Sequence, residues 1–418
     1  MSDPARIERP RGTHDVVPAE MPQWDRVTGE IERLCRLYGY RRILTPSFED
    51  TALFARTSGA GSDVVQKEMY TFTDRSDRSL TLRPEGTAPI CRAYVEHGMH
   101  RDPQPVKLFT IAPMYRYGAP GRGRYREHWQ ASVEALGTDD PAVDAELIQL
   151  YDTLLERLGI TQYRLELNSI GCRQCRPAYL EALRAWLTDN EARLDDETRA
   201  KIEVSPMRVF DNYLAKPPAV REALDEAPKI GESLCAACVE HFSVVRSHLD
   251  ATGVGYALVP TLVRGLDYYT RTTFEFIGPM ENQNSTITGG GRYDYLVEEI
   301  GGPPTPGIGF GAGVERLLIA MEEEGAEPPP EPGVEVFLAY DDGAPRERIA
   351  AWLAALRQAG VAAETDYAGR SLKGQLTQAR RVGADRIAVV GPSSATLREP
   401  GKPDVELGHD ELVSRLMP

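Results

Sequence analysis

The chain has 418 residues, enough for two or three domains with full cores, and its 41% hydrophobic and 27% charged residues are those of an ordinary globular protein. No apolar stretch approaches the roughly 20 residues of a membrane span, and residues 1–13 lack the apolar core of a signal peptide, so a cytoplasmic protein is expected. A net charge of −15 argues against indiscriminate nucleic-acid binding, and the acidity lies toward the front: from Val334 onward 11 basic residues face 12 acidic ones.

The first elements are a helix over 22–37 that stops at Gly39 and a strand over 43–45 closed by Pro46, a proline that suits an edge strand. MYTFTDRSDRSLTLRPEGT follows as a hairpin turning at 75–78, with Thr87 and Pro89 opening the next helix. Residues 106–137 form a long hairpin whose basic loop GAPGRGR interrupts two strand-like arms. Its second arm alternates: Arg126, His128, Gln130, Ser132 and Glu134 share one face, while Tyr125, Trp129, Ala131, Val133 and Ala135 share the other. A strand with one wet face would read the same way. Two further polar clusters, Arg83-Pro84-Glu85-Gly86-Thr87 and Arg264-Gly265-Leu266-Asp267-Tyr268-Tyr269, favour a polar-lined pocket on a sheet.

Beyond the hairpin the pattern predicts a helix over 141–158, a strand over 163–167, and a mainly helical insertion over about 171–253. Strands are expected at 256–263, 272–277 and 285–291, the last ending in a glycine triplet. PTPGIGFGAGVERLLIAMEEEG reads as a glycine-rich strand running into a helix. The proline-rich stretch 325–333 is a linker. After it a β-α-β-α-β run ending near Gly391 predicts a small α/β domain over 334–418, separate from 1–324.

Of six cysteines, Cys35 and Cys91 sit in apolar helical sequence and are expected in the core. Cys172-x-x-Cys175 and Cys235-x-x-Cys238 have the spacing of a structural zinc site, with His241 able to replace one ligand; small buried or surface thiols are the alternative.

Six stretches, in order, resemble the histidyl-tRNA synthetases, a class II aminoacyl-tRNA synthetase family. GYRRILTPSFED resembles the dimer-interface motif of the class, MYRYGAPGRGRYREHWQASVEALG its second motif and GIGFGAGVERLLIAME its third. TLRPEGT and LVRGLDYYT resemble stretches peculiar to the histidine enzyme, and GRSLKGQL one in its anticodon-binding domain. The resemblance implies an α+β fold: an antiparallel sheet with flanking helices, a helical insertion, and a C-terminal α/β anticodon-binding domain. It implies a homodimer that joins L-histidine to tRNA(His) through histidyl-adenylate, with ATP as substrate together with Mg2+. The other implied reading is a non-catalytic paralogue serving as a regulatory subunit in histidine biosynthesis.

The resemblance also assigns residues. Arg116 and Arg264 would be catalytic, Arg116 on the α-phosphate and Arg264 between the carboxylate and that phosphate. Arg316 would hold the far end of ATP. Joining two anions needs such cations, which stabilise charge in the transition state. Imidazole carries a nitrogen at each edge, so its selection needs polar groups on both sides. Glu134 matches one edge, Tyr269 with Tyr268 the other, and Glu85, Gly86, Thr87 and Gln130 the amino-acid end. Arg122 and Arg124 would meet the tRNA acceptor stem; Arg370, Lys373 and Arg380 would meet tRNA through the tail. The chain departs from the family's Arg-x-Glu-Arg-Pro at Gly118 and Ala119, which removes an acid expected near adenine.

Overall fold

The computed structural model describes residues 6–57, 67–211, 213–278 and 286–418. The chain divides into two compact units, Met1–Pro328 and Pro329–Pro418.

The first unit is built on an eight-stranded sheet. Its strands are β1 (Arg41–Arg42), β5 (Val106–Tyr115), β6 (Glu127–Leu136), β7 (Arg164–Ser169), β8 (Ala257–Leu258), β9 (Thr270–Ile277), β10 (Thr286–Arg292) and β11 (Gly307–Gly313), in the order β1-β5-β6-β11-β10-β9-β7-β8. The six central strands pair antiparallel, and the two-residue edge strands β1 and β8 lie parallel to their neighbours. A smaller sheet joins β2 (Phe48–Asp50), β3 (Tyr70–Thr73) and β4 (Ser79–Leu82), the last two forming the expected hairpin.

Period-two alternation gives the large sheet two unlike faces. Phe109, Ile111, Ala131, Val133, Phe274, Phe276, Ile308 and Phe310 point into the main core, against helices Met21–Leu37, Pro141–Leu158, Ala236–Thr252 and Val314–Glu323. The opposite face is shared between a smaller cluster under helix Thr87–Glu96 and a polar pocket. Cys35 and Cys91 are buried, one in each cluster. Asp144 and Arg292 form a fully buried ion pair that ties helix Pro141–Leu158 to the end of β10.

The insertion between β7 and β8 is helical, with a core of its own around Tyr179, Leu183, Phe210, Leu224 and Ile230. The strand expected at 256–263 is only Ala257–Leu258; beyond it the chain turns, and Val259 N donates to Leu167 O at 3.1 Å. The strand expected over 43–45 stops at Arg42 for a different reason. Ile43 N still donates to Phe109 O at 2.8 Å, but the carbonyls of Thr45 and Pro46 accept from Arg83 Nη1 at 2.8 and 3.2 Å instead of from a strand. The expected strand at 285–291 is β10; its first residue, Ser285, lies outside the described residues, as do residues 1–5.

The second unit carries a mixed sheet, with β12 (Val336–Tyr340), β13 (Ala363–Thr365), β14 (Arg386–Val390), β15 (Ser394–Arg398) and β16 (Val405–Gly408) in the order β13-β12-β14-β15-β16. Alternate residues of β12 face opposite sides. Val336 and Leu338 pack with helices Arg346–Gln358 and His409–Leu416, while Phe337 and Ala339 pack with helix Leu372–Arg381. The β-α-β-α-β run therefore does not complete the unit. Two antiparallel strands and a terminal helix follow it, with Ala395, Leu397, Leu407, Leu412 and Leu416 buried in the same core.

Candidate active site

The polar pocket, a cavity of about 360 Å³, opens on the sheet face made by β6, β11, β10 and β9. Its floor is glycine because side chains from neighbouring strands lie across it. A Cβ on Gly309 would stand 1.7 Å from Glu134 Oε2, and one on Gly311 2.6 Å from Gln130 Nε2. On β10, a Cβ at Gly289 would meet the Arg264 guanidinium at 2.2 Å, and one at Gly291 the Tyr269 ring at 2.9 Å. Gly289 and Gly311 line the cavity, so a side chain there would fill it, while Gly291 and Gly309 leave room for Tyr269 and Glu134.

Behind one end, beyond Thr87, lies Glu134, which is fully buried. Thr87 Oγ1 donates to its Oε1 at 2.7 Å, and Tyr293 Oη donates to its Oε2. Burial pushes the Glu134 carboxyl well above the usual range, only partly opposed by these two donors. Tyr268 and Tyr269 stack at 4.6 Å between centroids beside it, and Tyr268 meets Tyr293 edge to face at 5.8 Å. Tyr293 was not singled out in the sequence. It lies two residues past the glycine triplet, and only its bond to Glu134 on β6 shows its purpose.

The RPEGT turn supplies the adjoining wall. Glu85 accepts from the backbone N–H of Thr87 at 2.6 Å and of Ala88 at 2.9 Å, capping helix Thr87–Glu96. Burial raises its carboxyl, with those N–H groups acting the other way. Gly86 lets the turn press on β6, since a Cβ there would fall 2.2 Å from Ser132 Oγ. Gln130 Nε2 donates to Ser132 Oγ at 2.9 Å, which turns its amide along the floor.

The other end is cationic. Arg116 Nε donates to Pro84 O at 2.7 Å, so the RPEGT turn aims its guanidinium into the cavity. Arg316 reaches in from the start of helix Val314–Glu323 and donates to Thr286 O. Burial lowers its pKa, and the charges of Arg124 and Arg116 lower it further, a sign of crowded cations suited to a polyanion. His128 lies between them. Burial, then the charges of Arg116 and Arg316, hold it down to about 3, so it is a neutral imidazole at physiological pH. Arg264 spans the middle of the pocket, ion-paired with Glu275 on β9 over Gly289. Glu275 is a second residue that the sequence did not single out.

The basic loop divides. Arg124 lines the cavity, whereas Arg122 pairs outside it with Glu322 and Glu323 at 2.9 and 3.0 Å. Gly118 leaves the second motif without its acid, yet Glu68 supplies one in space. Its Oε1 accepts from Arg124 Nη2 at 3.0 Å and would lie 3.4 Å from a Cβ on Gly118.

In the second unit Arg370, Lys373 and Arg380 are exposed on or beside helix Leu372–Arg381, whose Leu372, Leu376, Ala379 and Val382 face the sheet. In the insertion, Cys172, Cys175, Cys235 and Cys238 converge, all four sulfurs lying within 4.8 Å of one another. His241 is not among them. It faces Asp144 instead, with Nε2 3.6 Å from Oδ2, because one helical turn past Cys238 points it toward helix Pro141–Leu158.

A cavity with a carboxyl and tyrosines at one end, arginines at the other and one bridging arginine can seat a small polar molecule beside a polyphosphate. Comparison with known proteins gives the same picture. The family model described as histidyl-tRNA synthetase matches residues 12–317. The histidine–tRNA ligase of Moorella thermoacetica is 49% identical over 383 residues, covering 92% of this chain and 90% of its own. That of Dehalococcoides mccartyi is 42% identical over 417 residues, covering 98% and 99%. Among solved structures, the apo S. aureus histidyl-tRNA synthetase superposes with a TM-score of 0.81 at 36% identity, covering 98% of this chain and all of that one. A Bacillus halodurans structure titled ATP phosphoribosyltransferase regulatory subunit/histidyl-tRNA synthetase has a TM-score of 0.65 at 22% identity, a likeness of fold alone.

Proposed function

This chain belongs to the histidyl-tRNA synthetase family, and from that premise we propose that it ligates L-histidine to tRNA(His), using ATP and passing through histidyl-adenylate. The observation that carries the reading is the distribution of charge along one cavity: Glu85, Thr87, Tyr268 and Tyr269 at one end, backed by buried Glu134 and Tyr293, and Arg264, Arg116 and Arg316 toward the other. Imidazole then lies against Glu134, which accepts from one ring nitrogen, while a tyrosine hydroxyl serves the other edge. The α-amino group sits near Glu85, Thr87 and Gln130.

In the first step a carboxylate oxygen of histidine attacks the α-phosphorus of ATP, and pyrophosphate leaves. Arg116 and Arg264 hold the two anions together and stabilise the charge that grows on the phosphoryl oxygens. Arg316, with Arg124 near it, binds the leaving end. Neutral His128 can hydrogen-bond there without adding charge. Magnesium would accompany the triphosphate, and the carboxylate that lines the cavity beside Arg124 at that end is Glu68. In the second step the terminal ribose hydroxyl of the tRNA attacks the activated carbonyl and AMP leaves.

Glu68 takes the place of the acid missing at Gly118, toward the adenine end. Arg122 and Arg124 meet the acceptor stem, and the second unit binds the anticodon, with Arg370, Lys373 and Arg380 on phosphates. The catalytic domain is 1–324, the insertion about 171–253, the linker 325–333 and the anticodon-binding domain 334–418. A cytoplasmic homodimer completes the reading. What supports the dimer is the first motif: Leu44 is 70% exposed, and Phe48 and Phe72 are exposed beside one another. The clustered thiols take no part in the chemistry, and a structural zinc suits them.

Pyrophosphate exchange with each amino acid in turn, followed by charging of total tRNA, tests the reading. Exchange driven by histidine alone and acylation of one isoacceptor are expected; exchange with another amino acid, or none, would overturn it. The regulatory-subunit reading predicts no exchange. It is disfavoured by Arg264 in place and by ligase relatives at 42–49% identity.

A further inference from the structure

Cys172 and Cys175 lie in the turn that leaves β7, while Cys235 and Cys238 open helix Ala236–Thr252 some 60 residues later. Their sulfurs stand 3.7 Å (Cys172–Cys175), 3.9 Å (Cys172–Cys235) and 3.6 Å (Cys175–Cys238) apart. Four thiolates at about 2.3 Å from a tetrahedral metal ion have sulfurs about 3.8 Å apart. A disulfide would need about 2.05 Å. Contact among merely apolar thiols requires no such convergence. The backbone also serves the sulfurs: Cys235 N donates to Cys175 Sγ at 3.1 Å. Gly171 at φ +66° makes the turn, and a Cβ there would lie 2.8 Å from Cys175 Cβ.

The same turn is joined to the pocket. Ile170 N donates to Arg271 O at 2.8 Å, and Arg271 N to Gly171 O at 2.8 Å. Arg176, which follows Cys175 directly, donates through Nε to Ile170 O at 3.3 Å and through Nη2 to the carbonyl of Tyr269. Tyr269 lines the pocket and lies over Gly291. Disorder in the cysteine turn would therefore reach the tyrosine through one side chain.

We propose that Cys172, Cys175, Cys235 and Cys238 bind one structural zinc ion that holds the base of the insertion together and, through Arg176, positions Tyr269. The metal site stands on the sulfur geometry; the effect on Tyr269 rests on the histidine-binding reading of the pocket. Arg176 is a positioning residue and touches no substrate.

The full-length protein, purified under reducing conditions, is expected to carry one zinc per chain by elemental analysis. Cobalt substituted for zinc should show thiolate-to-metal charge transfer and the intense visible bands of a tetrahedral ion. Cys172→Ser and Cys235→Ser should lose the metal, and Cys35→Ala should keep it. Iron in place of zinc, or folded metal-free protein with all four thiols reactive, would overturn the site. The cobalt spectrum requires no variant to fold.

For the positioning role, Arg176→Ala should keep its zinc yet raise the KM for histidine about tenfold, as a small misplacement of a binding group does, with the KM for ATP unmoved and partial recovery in Arg176→Lys. An unchanged histidine KM in the metal-bearing variant would overturn that role. Wild-type protein without histidine-dependent exchange would refute the enzymatic reading instead, and the metal count would still decide the zinc.

Discussion

Gly309 stands directly opposite Glu134 across the β6–β11 pair, and the carboxylate of Glu134 occupies the space that a side chain on Gly309 would need. Gly309→Ala is thus expected to displace Glu134 and weaken histidine binding by on the order of 100-fold. Overpacking should cost roughly 1–3 kcal/mol of stability, leaving the fold intact. Titration calorimetry with histidine, alongside circular dichroism, checks both; normal affinity would mean that Glu134 is not the imidazole partner.

Glu134→Gln keeps the shape and replaces one carboxyl oxygen with a donating amide. Leaving a buried hydrogen-bonding group without its partner costs roughly 1–3 kcal/mol, so kcat/KM for histidine should fall about 10–100-fold. Exchange kinetics at varied histidine and ATP would place the loss on the histidine side.

Arg264 is held by Glu275 before any ligand arrives. Arg264→Ala should slow histidine-dependent pyrophosphate exchange by about 10²–10³-fold, the usual effect of deleting one group that stabilises developing charge. Glu275→Gln should slow it less, because it frees the guanidinium without removing it. Near-normal exchange in Arg264→Ala would remove this residue from the chemistry.

Glu315 accepts from Trp129 N at 2.9 and 3.1 Å. Burial pushes its carboxyl from 4.5 to about 7, with Glu127 adding to the shift and the N–H groups opposing it. A carboxyl raised in the folded state favours folding fully below pH 4.5, where both states are protonated. That contribution is lost as pH rises toward 7, because the unfolded chain ionises first. His128, held down to about 3, acts oppositely, its contribution present above 6.5 and lost as pH falls. The comparison that isolates Glu315 is Tm against pH for the wild type and Glu315→Gln. The variant should lose less stability between pH 4.5 and 7, and parallel curves would contradict the shift.

The second unit should matter for tRNA and not for adenylate. Truncation after Gly333 is expected to leave histidine-dependent exchange largely unchanged and to weaken charging severely. Lys373→Ala with Arg380→Ala should flatten the slope of log affinity against log salt, by about 0.7–0.9 for each phosphate that is no longer neutralised. Filter binding across a salt series measures this. Undiminished charging by the truncated chain would dismiss the tail as an anticodon reader.

Local pattern alone determined much of this protein. The alternation along β6 separates Gln130 and Glu134 from Val133 and Ala135, and chemistry-bearing stretches such as RPEGT and LVRGLDYYT announce themselves by residue type. Helix ends were legible for the same reason, since Asp140 with Pro141 and the αL Gly159 mark the ends of Pro141–Leu158 by local bonds. What residues far apart in the chain do to one another lay outside that reach. The strand after Arg42 fails because Arg83 captures the carbonyls of Thr45 and Pro46. Glu68 lies beside Gly118, Tyr293 bonds to Glu134 and Glu275 pairs with Arg264, through contacts that no local period encodes. In the sequence the glycines of β10 and β11 show only as a triplet ending one strand and a glycine-rich second strand. Only the neighbouring strands show that they are there for emptiness, leaving room for Glu134, Gln130, Arg264 and Tyr269. A periodic pattern says which way a side chain points, and the partner it meets is set by packing.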